Sequence, residues 1–512
     1  MYTSNFLIVL IGLHSTSAFS IDTRTDVVAS RPDVEVELDL DLNSNMQWDG
    51  YPSSHSNQPS HSKLPEGEPL EFNIHPIKGS IAPSVPLSTV LKPHSFNFGR
   101  GPAYVTTKAV ENGTELLSVP MSHVMSKTSA AKGRVGLLLE ANPDLPLPIA
   151  LGLHLLEEKA LGVASNFFDL ITTLPTANEI NSTLFYSEDE LSEMEGSQLL
   201  RFTLARDQAV DAFYDALVQP VTSREAVDPP ILQKDEFTPT QFRWAMGVVW
   251  SCSFQLGDDE ADVVLAPVLS TIGICTTFDS DGGMTCPSTQ VKVDTNTQRL
   301  VVYASAPLTK GQEVRLFMPG KSSTQLMLNH GFANERALPK LDKLDLTVTL
   351  DPSDALAQLK NYLLQSQLNE STNATYAFYY GSSTIEETVA ASLKMKLLSG
   401  VELAHYKELL PRSEESETQD DRRIISLRNE FVFTRAIIST CTALLQQYPT
   451  SMDQDVQVLA KLTQQNDVES TRRAHVQRIL IIEKKILNET MEIALEEWKT
   501  LVFSTHPNLI EV

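Results

Sequence analysis

The stretch from Val264 to Phe332 constrains the fold more than any other part of the chain. It opens VLAPVLSTIGICTTF and closes VVYASAPLTKGQEVRLFMPGKSSTQLMLNHGF. Short apolar, β-branched runs bounded by Pro and Gly read as strands, and KGQEV reads as a tight turn. Strands are therefore predicted from Asp262 to Phe317, with helical patterns on both sides of them. Such a segregated order belongs to an α+β protein.

Upstream, Asn97 to Pro120 reads NFGRGPAYVTTKAVENGTELLSVP. AYVTT and TELLSVP are strand-like, and the turn Glu111-Asn112-Gly113 predicts a hairpin between them. From Pro148 to Val221 the pattern is helical, with PIALGLHLLEEKALG apolar on a 3.6-residue period. Ser187 and Glu190 form a capping box. Thr238 is an N-cap and Pro239 the first residue of a helix predicted to reach Gln255. A last helical region runs from about Asp351 to the end. There Leu427, Phe431, Thr434, Ile438, Cys441 and Leu445 share one helix face, and Ile479, Ile482, Ile486 and Ile493 form a second stripe.

The chain has 512 residues, 42% of them apolar, which suffices for two or three domains with real cores. Its net charge of −25 repels phosphate backbones and excludes nucleic acid as a partner. The charge keeps the chain soluble, and any partner it selects is a basic protein or peptide. Cys252, Cys275, Cys286 and Cys441 show no zinc spacing. Free thiols are predicted, with a Cys275–Cys286 pair across a loop as the alternative.

Phe6 to Leu13, FLIVLIGL, is too short to span a bilayer. With the small residues before Ala18 it reads as a signal peptide over residues 1–18, and no membrane span is predicted elsewhere. The Ala18-Phe19 junction resembles the bipartite presequences of algae with secondary plastids. Plastid delivery is the expected localisation, with the secretory pathway as the alternative. Asp33 to Asp41, DVEVELDLD, is acidic where transit stretches are usually basic. Residues 19–83 read as a disordered linker, rich in Ser, Pro, His and Asn between Tyr51 and Pro69.

Four segments in order carry a family resemblance. They are FGRGPAYVTTKAVENGTELLSVP; the pair IALGLHLLEEKALGVASNFFDLITTLP and FYSEDELSEMEGSQL; Val264 to Phe332; and the pair TSMDQDVQVLAKL and RRAHVQRILIIEKKIL. Together they resemble the Rubisco large-subunit methyltransferase type of SET protein, which includes the actin-histidine methyltransferases. The resemblance implies a SET-domain β core over 84–345 with a helical insert at about 140–240. An all-helical substrate-binding domain over 346–512 follows. It also implies protein-lysine N-methylation with S-adenosyl-L-methionine (SAM), a protein or peptide partner held in the cleft and by the C-terminal helices, and a monomer.

Carried onto this chain, the family's site looks eroded. Gly99, Arg100 and Gly101 fall where a glycine-rich strand approaches SAM with its backbone. The family's Asn-His pair, which holds the cofactor, falls on Gly273 and Ile274. Its Ser-Arg-Ser-Phe segment is Ser251-Cys252-Ser253-Phe254, so an arginine has become Cys252. Its catalytic tyrosine falls on Met318, and the tyrosine of a later Tyr-Gly-Phe falls on His330. His330 reads either as a base or, more simply, as a histidine satisfied by a backbone partner. Each lost hydrogen bond to a buried group costs about 1–3 kcal/mol, so two losses weaken SAM binding about a hundredfold or more. The favoured expectation is a non-catalytic or weakly active protein-binding SET pseudoenzyme. The alternative is an active SAM-dependent protein-lysine or histidine N-methyltransferase.

Overall fold

The computed structural model describes residues 90–95, 102–143, 145–222, 234–256, 263–275, 289–317, 320–351, 353–404, 426–465 and 467–503. The presequence and linker, Gly99, Arg100, Gly101, Cys286 and Met318 lie outside these residues.

The first strands are β1 (Leu91–Ser95), β2 (Pro102–Thr106) and β3 (Glu115–Pro120). Next come β4 (Phe254–Gln255), β5 (Val263–Val264) and β6 (Gly273–Cys275). They are followed by β7 (Thr289–Asp294), β8 (Arg299–Ala304), β9 (Glu313–Phe317), β10 (Lys343–Thr349) and β11 (Asn373–Tyr379). One sheet has the order β1-β2-β9-β6, a second β3-β8-β7, and β4 pairs with β5. Among the described strands only β6 and β9 run parallel, with Gly273 opposite Arg315. Leu116, Leu117, Val119, Leu300, Val302 and Val314 are buried in one cluster of the two larger sheets. The strands from Asp262 to Phe317 are thus where the apolar runs placed them.

The predicted hairpin is corrected. AYVTT and TELLSVP are both strands, but β2 pairs with β1 and β9 while β3 pairs with β8. The turn at Glu111 does form, with the Thr114 amide donating to the Glu111 carbonyl at 3.2 Å. Val110 bridges Leu308, and the Gly113 amide donates to the Ala304 carbonyl at 2.7 Å. Those distant bonds take the backbone groups a hairpin would have used.

The helical insert is built around α1 (Leu147–Leu161), α2 (Gln198–Phe213) and α3 (Pro239–Cys252). Pro148 to Glu157 is buried on every face of α1, so this helix is central rather than amphipathic. Thr238 caps α3 with Pro239 in its first turn, and Ser187 and Glu190 close their capping box. The helix α3 stops at Cys252, three residues early, because Phe254 and Gln255 pair with Val264 and Val263.

Beyond β9 come α4 (Ser323–His330), α5 (Ala357–Leu368), α6 (Glu387–Lys396), α7 (Leu427–Gln447), α8 (Met452–Leu462) and α9 (Val468–Phe503). This region is helical with one correction: β10 and β11 form an antiparallel pair within it. Leu344, Val348, Tyr376 and Phe378 of that pair pack on Phe433, Ile479, Ile482 and Ile486. The same core takes in Met194 and Leu199 of the insert and Met327 of α4. The C-terminal helices therefore share a core with the SET-like part. The buried ridge of α7 is Glu430, Phe433, Thr434, Ile437, Thr440 and Cys441, rotated from the predicted stripe, and Leu427 is exposed.

Candidate functional site

The described members of the predicted site fall in two places. At the first, α3 ends at Ser251 and Cys252 against the end of α4. The Ser251 hydroxyl donates to the Asn329 carbonyl at 2.6 Å. His330 Nδ1 lies 3.0 Å from the Ser251 carbonyl. A carbonyl only accepts, so Nδ1 carries the proton. His330 has the backbone partner of its simpler reading. Cys252 is buried beside this contact, and burial pushes its thiol up to about 12, so it stays neutral at ordinary pH.

The second place is β6. Gly273 and Ile274 are half-buried, and neither side chain has a polar atom. A Cβ on Gly273 would stand 3.0 Å from Glu313 Oε1 and 3.8 Å from Arg315 Cγ. Arg315 Nε donates to Glu313 Oε2 at 2.7 Å. The space beside Gly273 that a longer side chain would need is thus bordered by an internal ion pair. Among the described strands β6 pairs with β9 alone and forms the edge of its sheet. Cys275 is described only in its backbone, while Cys252 and Cys441 are free, buried thiols.

Sequence reasoning missed the groups that clamp these segments together. Arg206, on α2, is buried and donates to the Leu328 carbonyl and to Asn329 Oδ1, both at 2.9 Å. Its guanidinium lies 4.5 Å from the Trp250 ring centroid, and burial lowers it to about 10. The ring of Phe332 links His330 to His475 of α9, with centroids 6.1 and 6.4 Å apart. His475 Nδ1 accepts from the Ala333 amide at 3.2 Å. Arg472 Nε donates to Asn181 Oδ1 at 3.0 Å, reaching back to the insert. The segment RRAHVQRIL carried the signal: polar residues recur at its start, on a helix that is otherwise apolar towards the core.

Two glycines set these approaches. Gly331 ends α4 at φ 71°, and a Cβ there would stand 2.0 Å from the Asn181 carbonyl oxygen. Gly196, at φ 82°, lets the insert backbone meet Gln447 and Tyr448, where a Cβ would stand 2.7 Å from the Gln447 carbonyl oxygen.

Residues 351–487 match the protein family described as Rubisco LSMT substrate-binding. The chain is 23% identical over 399 residues to the actin-histidine N-methyltransferase of Xenopus tropicalis, covering 77% of this chain and 65% of the relative. For the Homo sapiens protein of that name the figures are 22% over 396 residues, 76% and 63%. The chain thus spans less than two thirds of the length of these curated relatives. In fold it is similar to the crystal structure of the SET domain of LSMT bound to lysine and AdoHcy, with a TM-score of 0.64 and 21% identity over 81% of this chain and 88% of that one. For the structure of Rubisco LSMT bound to AdoMet the TM-score is 0.63 at 21% identity, over the same 81% and 88%. Residues 351–487 are accordingly a Rubisco LSMT substrate-binding domain, carried on a chain that has the SET-type fold of Rubisco LSMT.

Proposed function

We propose that this chain is a protein-binding SET-fold protein in which SAM-dependent methyl transfer to a protein nitrogen is lost or much reduced. The observation that carries the reading is the chemistry at Gly273, Ile274 and Cys252. The resemblance puts side-chain donors for SAM at these positions. Glycine and isoleucine have none, and a buried neutral thiol does not replace a guanidinium. These residues do not fit a cofactor held by side-chain hydrogen bonds. Met318, at the tyrosine position, could neither orient an amine nor accept its proton. The intact C-terminal region supports retention of partner binding. A chain of charge −25 favours a basic protein or peptide in the cleft.

On this reading the chain acts as a monomer with a SET part over 84–345 and a partner-binding part over 346–512. It reaches a plastid through its presequence, or the secretory pathway if the acidic stretch after Phe19 prevents import.

A second reading, an active protein-lysine or histidine N-methyltransferase, draws on one feature. The outer edge of β6 pairs with no other described strand, and this reading needs main-chain groups there to hold the cofactor. Incubating the full chain with methyl-labelled SAM and arrays of lysine and histidine peptides separates the two. The first reading expects no label above background while basic peptides still bind; steady turnover on any peptide would establish the second.

A further inference from the structure

We infer that a pocket in the C-terminal region binds a small amphipathic carboxylate, an apolar chain or ring ending in one anionic group. The pocket has a volume of about 440 Å³ and lies between β10, α5, α6 and α7. That is the size of ordinary small-molecule sites, about 300–1,000 Å³. Leu346, Leu393, Phe433 and Ile437 line it with apolar surface.

Its cations differ in one respect. Lys360 is paired with Asp354 at 2.6 Å, and Arg428 with Glu402 at 2.9 Å. Lys396 is 6% exposed and has no carboxylate within ion-pair distance among the described residues. Its ammonium donates only to neutral acceptors, the carbonyls of Val348 at 3.1 Å and Thr372 at 3.2 Å. Burial pushes it down to about 8, against the opposing charge of Glu370. A buried cation with no carboxylate in direct contact is expensive, and an arriving carboxylate would supply that contact. The apolar walls would take the rest of such a ligand. If Lys396 served only to tie Val348 to Thr372, its removal would alter stability and nothing else.

The test is calorimetric titration of the full chain with sodium decanoate, and with decanol as its uncharged counterpart. Decanoate is expected to bind, and decanol at least about tenfold more weakly. Lys396→Met should weaken decanoate about tenfold or more, and Ala436→Trp, which fills the pocket, should abolish binding. Should Lys396→Met fail to fold, the decanol comparison and Ala436→Trp still decide. Absence of binding at millimolar decanoate in folded protein overturns the inference. So does binding that both variants leave unchanged, or preference for a peptide with a C-terminal leucine over decanoate.

Discussion

Single residues decide whether the site's segments can meet. Gly331 is the clearest case, because it needs both a left-handed backbone and the absence of a side chain against Asn181. Gly331→Ala is expected to cost about 3 kcal/mol or more, combining left-handed strain with overpacking. Chemical denaturation would measure it, and a change under about 1 kcal/mol would contradict the packing described. This glycine was legible as part of NHGF, but its contact with residue 181 was not, since nothing local couples positions so far apart. His330 was legible in the same limited way. Its type pointed to a base or a satisfied histidine, and only the approach of Ser251 to 3.0 Å gave it a partner.

At the scale of elements, the two halves of the C-terminal signature are joined by one buried pair. Lys484 of α9 and Asp455 of α8 form an ion pair at 2% and 1% side-chain exposure. Lys484 also donates to the Thr450 carbonyl at 2.8 Å, just before the cap of α8. Lys484→Met should destabilise the chain by about 3–5 kcal/mol, because Asp455 is left buried without a counter-charge. Adding Asp455→Leu should recover most of the loss, and a double-mutant cycle in urea checks both values. Additive losses would mean the pair is not coupled. Helix caps were readable because Ser187 and Thr238 act within their own turn. Strand pairing was not: β2 and β3 look like a hairpin, yet each pairs with strands about 200 residues away in sequence, such as β9 for β2. The α7 stripe was misplaced because polar Glu430 and Thr440 join the buried ridge, Glu430 with a charged partner there. Glu430 meets Lys394 at 2.7 Å.

Across the whole molecule, the insert and the C-terminal helices are held by shared core and by buried polar groups that no sequence pattern marked. Glu483 of α9 is one of them. It accepts from the Tyr448 hydroxyl at 2.8 Å, and burial raises its carboxyl to about 7. The folded chain therefore keeps a proton that the unfolded chain has released above the ordinary carboxylate value. The stability tied to the protonated form is fully present below about pH 4.5 and is lost as pH rises through about 7. Glu483→Gln should flatten that slope and stabilise the chain at pH 8 by an amount on the order of 2 kcal/mol. Melting curves from pH 5 to 8 read the effect; parallel pH profiles for the two proteins would refute it. The α+β order was visible along the chain because strand-like and helix-like patterns keep to separate stretches. The docking of the C-terminal region onto the insert was not, because it depends on Arg472 and Gly196 meeting partners brought in by the fold.

The central claim concerns the cofactor, and SAM titration into the folded full chain tests it most directly. If Gly273, Ile274 and Cys252 stand at the cofactor-holding positions, as proposed, no binding is expected up to millimolar SAM. Saturable binding at micromolar SAM would contradict the account and return the chain to the active methyltransferases.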